Sequence, residues 1–388
     1  MKKAVKLILG LLFLLIIGAL IYVFGIVVPQ TDAKMNPVAA HAPYPVSDAA
    51  KTLHADLLVV DLHSDSLLWR RNPERRWDRG HVDLPRLREG GVDIQIFSAV
   101  TKSPRGLNFD GNDADAPDDI TMLAQVQLWP LRTWGSIYER AAYQAQRLQK
   151  IEKRSKNSLV IARKKSDLNQ PEGTLITLLL TEGSHPLEGK LENIERLYEE
   201  GYRAMGLQHF FDNELGGSMH GRSQSGLTDF GRQAILEMER RNIMIDVAHS
   251  SRQTVRDVLA TIKAPIFISH GGTISGCPKT ANRNLPDDIL KQIADRGGIL
   301  GIGYFGGAIC DISPKGIAKE IIHAVGLLGE DAIALGSDYD GTVETSLDTS
   351  ELAAITHELL AQGMAESQIR KVMGENARRY FADNLPEH

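Results

Sequence analysis

Hydrophobic positions in this chain gather into short, continuous apolar runs, and the stretches between them carry helical spacing. Eight runs stand out: Leu57–Leu62, Val92–Val100, Thr174–Thr181, Ala204–Gln208, Ile243–Ala248, Pro265–Ser269, Gly298–Tyr304 and Ala332–Ser337. Most are rich in Val and Ile, the pattern of parallel strands buried on both faces. Helices are predicted over Leu191–Glu200, Thr228–Arg241, Ser251–Thr261, Pro286–Arg296 and Ile317–Leu328, and Ser350–Gln362 and Glu366–Phe381 follow the last run. Thr228 suits an N-cap, Pro286 a first helical turn and Gly329 a helix stop. Strict alternation of strand and helix predicts a parallel sheet.

Six of the eight runs lead into a charged or imidazole side chain. His63 and Asp65 follow the first, Glu182 the third, His209 the fourth, His249 the fifth, His270 the sixth and Asp338 the eighth. Strand ends on one face are where a (β/α)₈ TIM barrel keeps its chemistry. An open doubly wound sheet is the alternative, but the Gly-rich phosphate loop it would carry after its first strand is missing. Thr101–Asn157, between the second and third strands, reads as an insertion. Its first part, with Asn108, Asp110, Gly111, Asp113 and Asp115, reads as loop, and Asp119–Lys150 as a long helical segment.

The N-terminus follows another pattern. Lys2, Lys3 and Lys6 precede an uncharged run from Leu7 to Val28. That run exceeds a secretory signal core and meets the about 20 residues that cross a bilayer. It predicts an uncleaved transmembrane signal anchor over 1–28, a Pro-bearing tether over 29–50 and a barrel over 51–388. By the positive-inside rule the catalytic domain then faces out of the cytoplasm, the periplasmic side in a bacterium. The net charge of -5, without a basic stripe, argues against a nucleic-acid partner. Two cysteines, Cys277 and Cys310, lack zinc-finger spacing.

The candidate chemistry is metal-dependent hydrolysis. On an extended backbone His63 and Asp65 point to one side, so one imidazole and one carboxylate can reach one ion. His249 and His270 end consecutive strands and read as ligands of a second ion. Glu182 offers two oxygens and can bridge ions about 3.5–4 Å apart. The N/O donor set suits zinc, with manganese or cobalt as substitutes. His209 reads as a substrate contact and oxyanion donor. Asp338 reads as the acid–base group, with Asp340 as the alternative. His41, His54, His357 and His388 read as structural or surface groups, His81, His185, His220 and His323 carry no assignment, and Glu74–Asp78 reads as a solvated loop.

Several ordered motifs resemble the membrane (renal) dipeptidases of the amidohydrolase-like metal barrels. They are Asp61-Leu-His-Ser-Asp65, Glu182-Gly183, Gly226-Leu-Thr-Asp-Phe-Gly231, Ile245-Asp-Val-Ala-His249-Ser, Ile268-Ser-His270, Arg283-Asn-Leu-Pro-Asp-Asp288 and Gly336-Ser-Asp-Tyr-Asp-Gly341. The resemblance spans about Asp61 to Phe381. It implies a dinuclear zinc site held by His63, Asp65, His249 and His270 with Glu182 bridging, substrate contacts from His209 and Arg283, and proton transfer by Asp338. A bidentate guanidinium at Arg283 suits the free carboxylate of a dipeptide. The resemblance also places the two cysteines near a disulfide of the family, and loops leaving neighbouring barrel strands can come within bonding range. Departures lie in Ser184-His185, in Phe210–Gly226 and in the spacing from His270 to Arg283. These loops shape the pocket, so side-chain preference stays open. The expected activity is hydrolysis of a dipeptide by a metal-activated hydroxide. The expected partners are a dipeptide and, through the N-terminal helix, a membrane, with a homodimer as an open question of assembly. The alternatives are another amidohydrolase acting on a lactone or cyclic amide, and a catalytically silent binding protein.

Overall fold

A computed structural model describes residues 2–387. Nine parallel strands are formed: β1 (Val59–Asp61), β2 (Val92–Val100), β3 (Leu159–Ile161), β4 (Leu175–Glu182), β5 (Tyr202–Gly206), β6 (Met244–Asp246), β7 (Phe267–Gly271), β8 (Ile299–Ile302) and β9 (Ile333–Leu335). Eight of them close into the predicted barrel. The sheet runs β2-β1-β9-β8-β7-β6-β5-β4, and β2 closes on β4 from Ile94↔Ile176 to Val100↔Glu182. All eight residues of β4 are buried, which its unbroken apolar run required.

Alternate strand residues divide between two cores. Val60, Ile94, Ile96, Leu178, Leu180, Ala204, Met244, Phe267 and Ile299 form one cluster, joined by Tyr380 and Phe381 of the C-terminal helix Asn376–Asn384. Strand positions of the other parity, such as Leu179, Ile245 and Leu300, pack with the surrounding helices.

The structure departs from the sequence pattern in several places. β3 was not predicted. It pairs with the first half of β4, Leu159↔Leu175 to Ile161↔Thr177, on the side that β5 takes higher up. Three residues are too short a run to show a period. The expected helix Asp119–Lys150 is three helices, Asp119–Val126, Arg132–Gly135 and Ile137–Arg154. Leu128 adopts a left-handed backbone (φ 56°), and Pro130 removes a donor from the intervening turn. Pro286 is extended (ψ 146°) and caps Asp287–Asp295 rather than lying within its first turn. The helix expected from Ile317 starts at Pro314, where Ser313 caps the Gly316 N–H.

Lys2–Met35 is one helical stretch of 34 residues, long and apolar enough to cross a membrane. From its last turns onward the chain lies against the barrel. Asp32 is buried, accepts from Arg79 Nε at 3.2 Å and is ion-paired with Arg71 Nε at 2.9 Å, and Val38 bridges to Thr345. Cys277 and Cys310 are disulfide-bonded, with Cα atoms 5.3 Å apart.

Candidate metal centre

Several strands end sooner than the apolar runs do. β5, β6 and β9 stop at Gly206, Asp246 and Leu335, so His209, His249 and Asp338 stand on the turns just beyond. Glu182 is the last residue of β4 and His270 lies within β7. The turn after Glu182 needs Gly183 (φ 82°), where a Cβ would come within 2.8 Å of His185 Nδ1. Asp338 and Asp340 both hold left-handed φ, 62° and 64°. Backbone of this kind at non-glycine residues costs on the order of 1–3 kcal/mol and marks a site whose surroundings impose it.

All seven residues meet at one point. Glu182 Oε1 lies 3.1 Å from His249 Nε2 and 3.5 Å from both His63 Nε2 and His270 Nε2. Glu182 Oε2 lies 3.5 Å from His209 Nε2. Asp65 Oδ1 is 3.4 Å and Asp338 Oδ1 3.9 Å from His63 Nε2. Three overlapping sets have ligand atoms within 4.8 Å of one another: His63–Asp65–Glu182, Glu182–His209–His249 and His63–His270–Asp338. By distance, His209 stands as close to the cluster as the five expected ligands, and Asp338 lies at its edge.

The donor set fits a divalent metal. His63 Nε2 and Glu182 Oε2 are buried without a hydrogen-bond partner among the described residues. Burial holds the His249 and His270 imidazoles well below their usual pKa, hence neutral, as a ligand must be. Burial pushes Asp65 and Glu182 well up, with the Asp340 carboxylate adding to the rise at Asp65 and the Asp65 carboxylate adding to it at Glu182. A bound cation relieves both penalties, because it supplies the charge these groups face.

A layer beneath orients the rings. Ser269 Oγ donates to Asp246 Oδ2 (2.6 Å) and is left to accept from His63 Nδ1 (3.0 Å) and His270 Nδ1 (2.8 Å). Both imidazoles therefore turn Nε2 to the cluster, the usual device for metal-binding histidines. Asp65 accepts from the Ser98 hydroxyl. Asp61 accepts from Ser337 N (2.8 Å) and Oγ (2.7 Å), tying β1 to the turn that bears Asp338. Ser269, Asp246, Ser98 and Ser337 went unassigned in the sequence. Asp246 and Ser269 stood inside the quoted motifs, as the polar residues of otherwise apolar runs, and that was the available signal.

His209 Nδ1 donates to Lys102 O at 3.1 Å, and burial lowers its pKa to about 4. The neutral ring so held presents a lone pair at Nε2. Arg283 is buried, with Nη1 donating to Ala248 O (2.9 Å) and Nη2 to His270 O (3.2 Å). Asp338 faces the cluster, and burial raises its carboxyl to about 8. Asp340 points elsewhere, accepting from Ser66 Oγ (2.6 Å) and His81 N (2.8 Å) and ion-paired with Arg71 Nη2 at 2.7 Å. Among the unassigned histidines, His220 stacks on Phe210 (4.5 Å) beside His249, and His185 is buried against Phe211. The cluster forms the floor of a cavity of about 340 Å³ whose walls include Phe109, Phe210, Phe305 and Ile120.

A closed parallel barrel with this cluster at its C-terminal rim defines a metal-dependent hydrolase. Residues 47–384 match Membrane dipeptidase (Peptidase family M19), and the chain belongs to that family. It is similar to a dipeptidase, verJ, of Clonostachys rogersoniana, 29% identical over 365 residues, or 88% of this chain and 87% of that one. Among solved structures it resembles the probable dipeptidase PvdM from Pseudomonas aeruginosa (TM-score 0.72, 18% identity, 87% of this chain and 98% of that one). It also resembles a metallopeptidase from Rhodobacter sphaeroides liganded with a phosphinate mimic of the dipeptide L-Ala-D-Ala (TM-score 0.67, 23% identity, 85% and 99%).

Proposed function

We propose that this cavity hydrolyses the peptide bond of dipeptides on a two-metal site held by His63, Asp65, Glu182, His249 and His270. One observation carries the reading: a single buried carboxylate, Glu182, lies within 3.5 Å of four imidazole Nε2 atoms on a cavity floor. Zinc suits the donors, and divalent ions bound there supply Lewis acidity and an activated water. The chain's own groups do the rest. Arg283, its plane fixed by two rim carbonyls, holds the substrate's free carboxylate. Asp338 takes a proton from the attacking water and delivers it to the leaving amine. His209 contacts the substrate through Nε2. The apolar walls exclude water from the reacting bond.

The same reading makes the apolar part of the helix Lys2–Met35, up to Val28, a membrane anchor, with Lys2, Lys3 and Lys6 on the cytoplasmic side and the barrel outside. The Cys277–Cys310 bond supports that side, because disulfides persist in oxidising compartments. The test is metal content of the full chain in detergent, assayed together with amino-acid release from a dipeptide panel. Two ions per chain and release that a chelator abolishes are expected. Full activity at one ion per chain removes the bridging role of Glu182, and metal-loaded protein inert to every dipeptide removes the substrate class.

A further inference from the structure

Beyond residue 35, the described residues expose six large apolar side chains: Leu107, Met122, Val126, Leu128, Leu131 and Leu236. Single exposed leucines are ordinary, whereas a cluster marks a contact surface. Four of the six lie in one short stretch, with Met122 52%, Val126 37%, Leu128 56% and Leu131 74% exposed. The stretch is firmly held from beneath. Ile120, Ala124 and Trp129 pack into a core with Leu68, Trp69 and Val100, and Trp134 Nε1 donates to Trp129 O at 3.1 Å. Its exposed leucines are thus presented on a fixed support.

This surface continues the N-terminal helix. Phe24, Val27 and Val28 of that helix face Leu123 and Val126 across a groove of about 340 Å³, with Trp69 at its base. Arg70 stacks over Phe24 at 5.4 Å and Arg132 is exposed beside Leu131, so cations border the apolar side chains. An apolar face edged with arginine, joined to a helix that is itself apolar and exposed, has the make-up of a segment resting in a membrane interface.

We infer that Met122–Leu131 is a second membrane contact, seated in the interfacial region of the bilayer that the N-terminal helix crosses. The inference rests on the anchor reading above. It has a consequence for the site. The helix Asp119–Val126 lines the metal cavity through Ile120 and the anchor groove through Leu123 and Val126. The two contacts together fix the barrel's tilt and set the cavity mouth beside the membrane surface, where a single flexible anchor leaves its direction free.

The test uses the full chain in nanodiscs of phosphatidylethanolamine and phosphatidylglycerol. Both native cysteines are bonded, so single cysteines can be labelled selectively with bimane. The positions are Leu128→Cys, Leu131→Cys, Leu236→Cys and Leu14→Cys, each read against lipids brominated at graded depths. We expect Leu14 to be quenched most by deep bromines and Leu128 and Leu131 most by shallow ones, about 5–10 Å into the headgroup and acyl boundary. Leu236 should lose nothing. Quenching at Leu14 with Leu128 and Leu131 as insensitive as Leu236 overturns the second contact and leaves the anchor standing. Loss of quenching at Leu14 as well overturns the anchor reading, and the inference with it. A blue-shifted label at Leu131 that lipids do not quench, with Leu131→Cys cross-linking two chains, assigns the surface to a second copy and also overturns the inference.

Discussion

The metal cavity and the groove under the N-terminal helix each enclose about 340 Å³, and both hold buried charge. Their charges are settled differently. In the groove Asp32 meets Arg71 and Arg79, and Arg71 spans on to Asp340, so each carboxylate has its cation. In the cavity three carboxylates, Asp65, Glu182 and Asp338, crowd together, burial keeps His209, His249 and His270 neutral, and Arg283 is the cation acting on Glu182 and Asp338. A satisfied network stabilises structure, whereas a cluster short of positive charge is prepared to receive a cation. Size does not separate the two sites. Unmet electrostatic demand does.

Breaking the cavity side should give the largest effects. Glu182→Gln keeps the shape and removes a charge shared by four imidazoles. Metal content measured by elemental analysis should fall, and kcat/KM with it by on the order of 10⁴-fold, consistent with the several kcal/mol that metal-ion catalysis supplies. Retained metal and activity would show that Glu182 is not the centre of the site. Asp338→Asn should lower kcat by about 10²–10⁴-fold with metal content intact. Near-normal turnover would move the proton step elsewhere, although Asp340, locked onto Arg71, is poorly placed to take it.

Arg283→Ala should cost about 2–5 kcal/mol in kcat/KM on free dipeptides and much less on C-terminally amidated ones. Equal losses on both would mean that Arg283 serves the rim carbonyls of Ala248 and His270 rather than substrate. On the groove side, Asp32→Asn should leave metal content and kcat per folded molecule unchanged. It should still destabilise the fold by about 3 kcal/mol, the lower end for a broken buried pair, because Arg71 keeps Asp340. Thermal unfolding in detergent reads this. A fall in kcat instead would show that the Asp32–Arg71–Asp340 chain positions the turn bearing Asp338.

The barrel was legible in the sequence because eight apolar runs each had to bury both faces, and alternation with helices leaves few topologies. β3 escaped, because three residues carry no periodicity and its register comes entirely from β4. The break in the Asp119–Lys150 helix had a local cue in Pro130, while the left-handed turn at Leu128 did not announce itself. The cluster residues were legible as residue types after strands, since strand order places such ends on one rim.

What the chain alone determined was therefore local and periodic: strand and helix identity, the apolar helix at the N-terminus, and which polar side chains reach the rim. Tertiary structure decided everything that depends on distance between segments far apart in sequence. It turned Asp338 to the metal cluster and Asp340 to Arg71, though both stand two residues apart on one turn with the same backbone hand. It turned His209 Nε2 to the cluster by bringing Lys102 O within 3.1 Å of Nδ1. It also laid 29–50, read as a tether, against the rim. A side chain's type follows from the sequence, but its partner, and with it its charge and proton, follows from which remote groups the fold brings within about 3 Å.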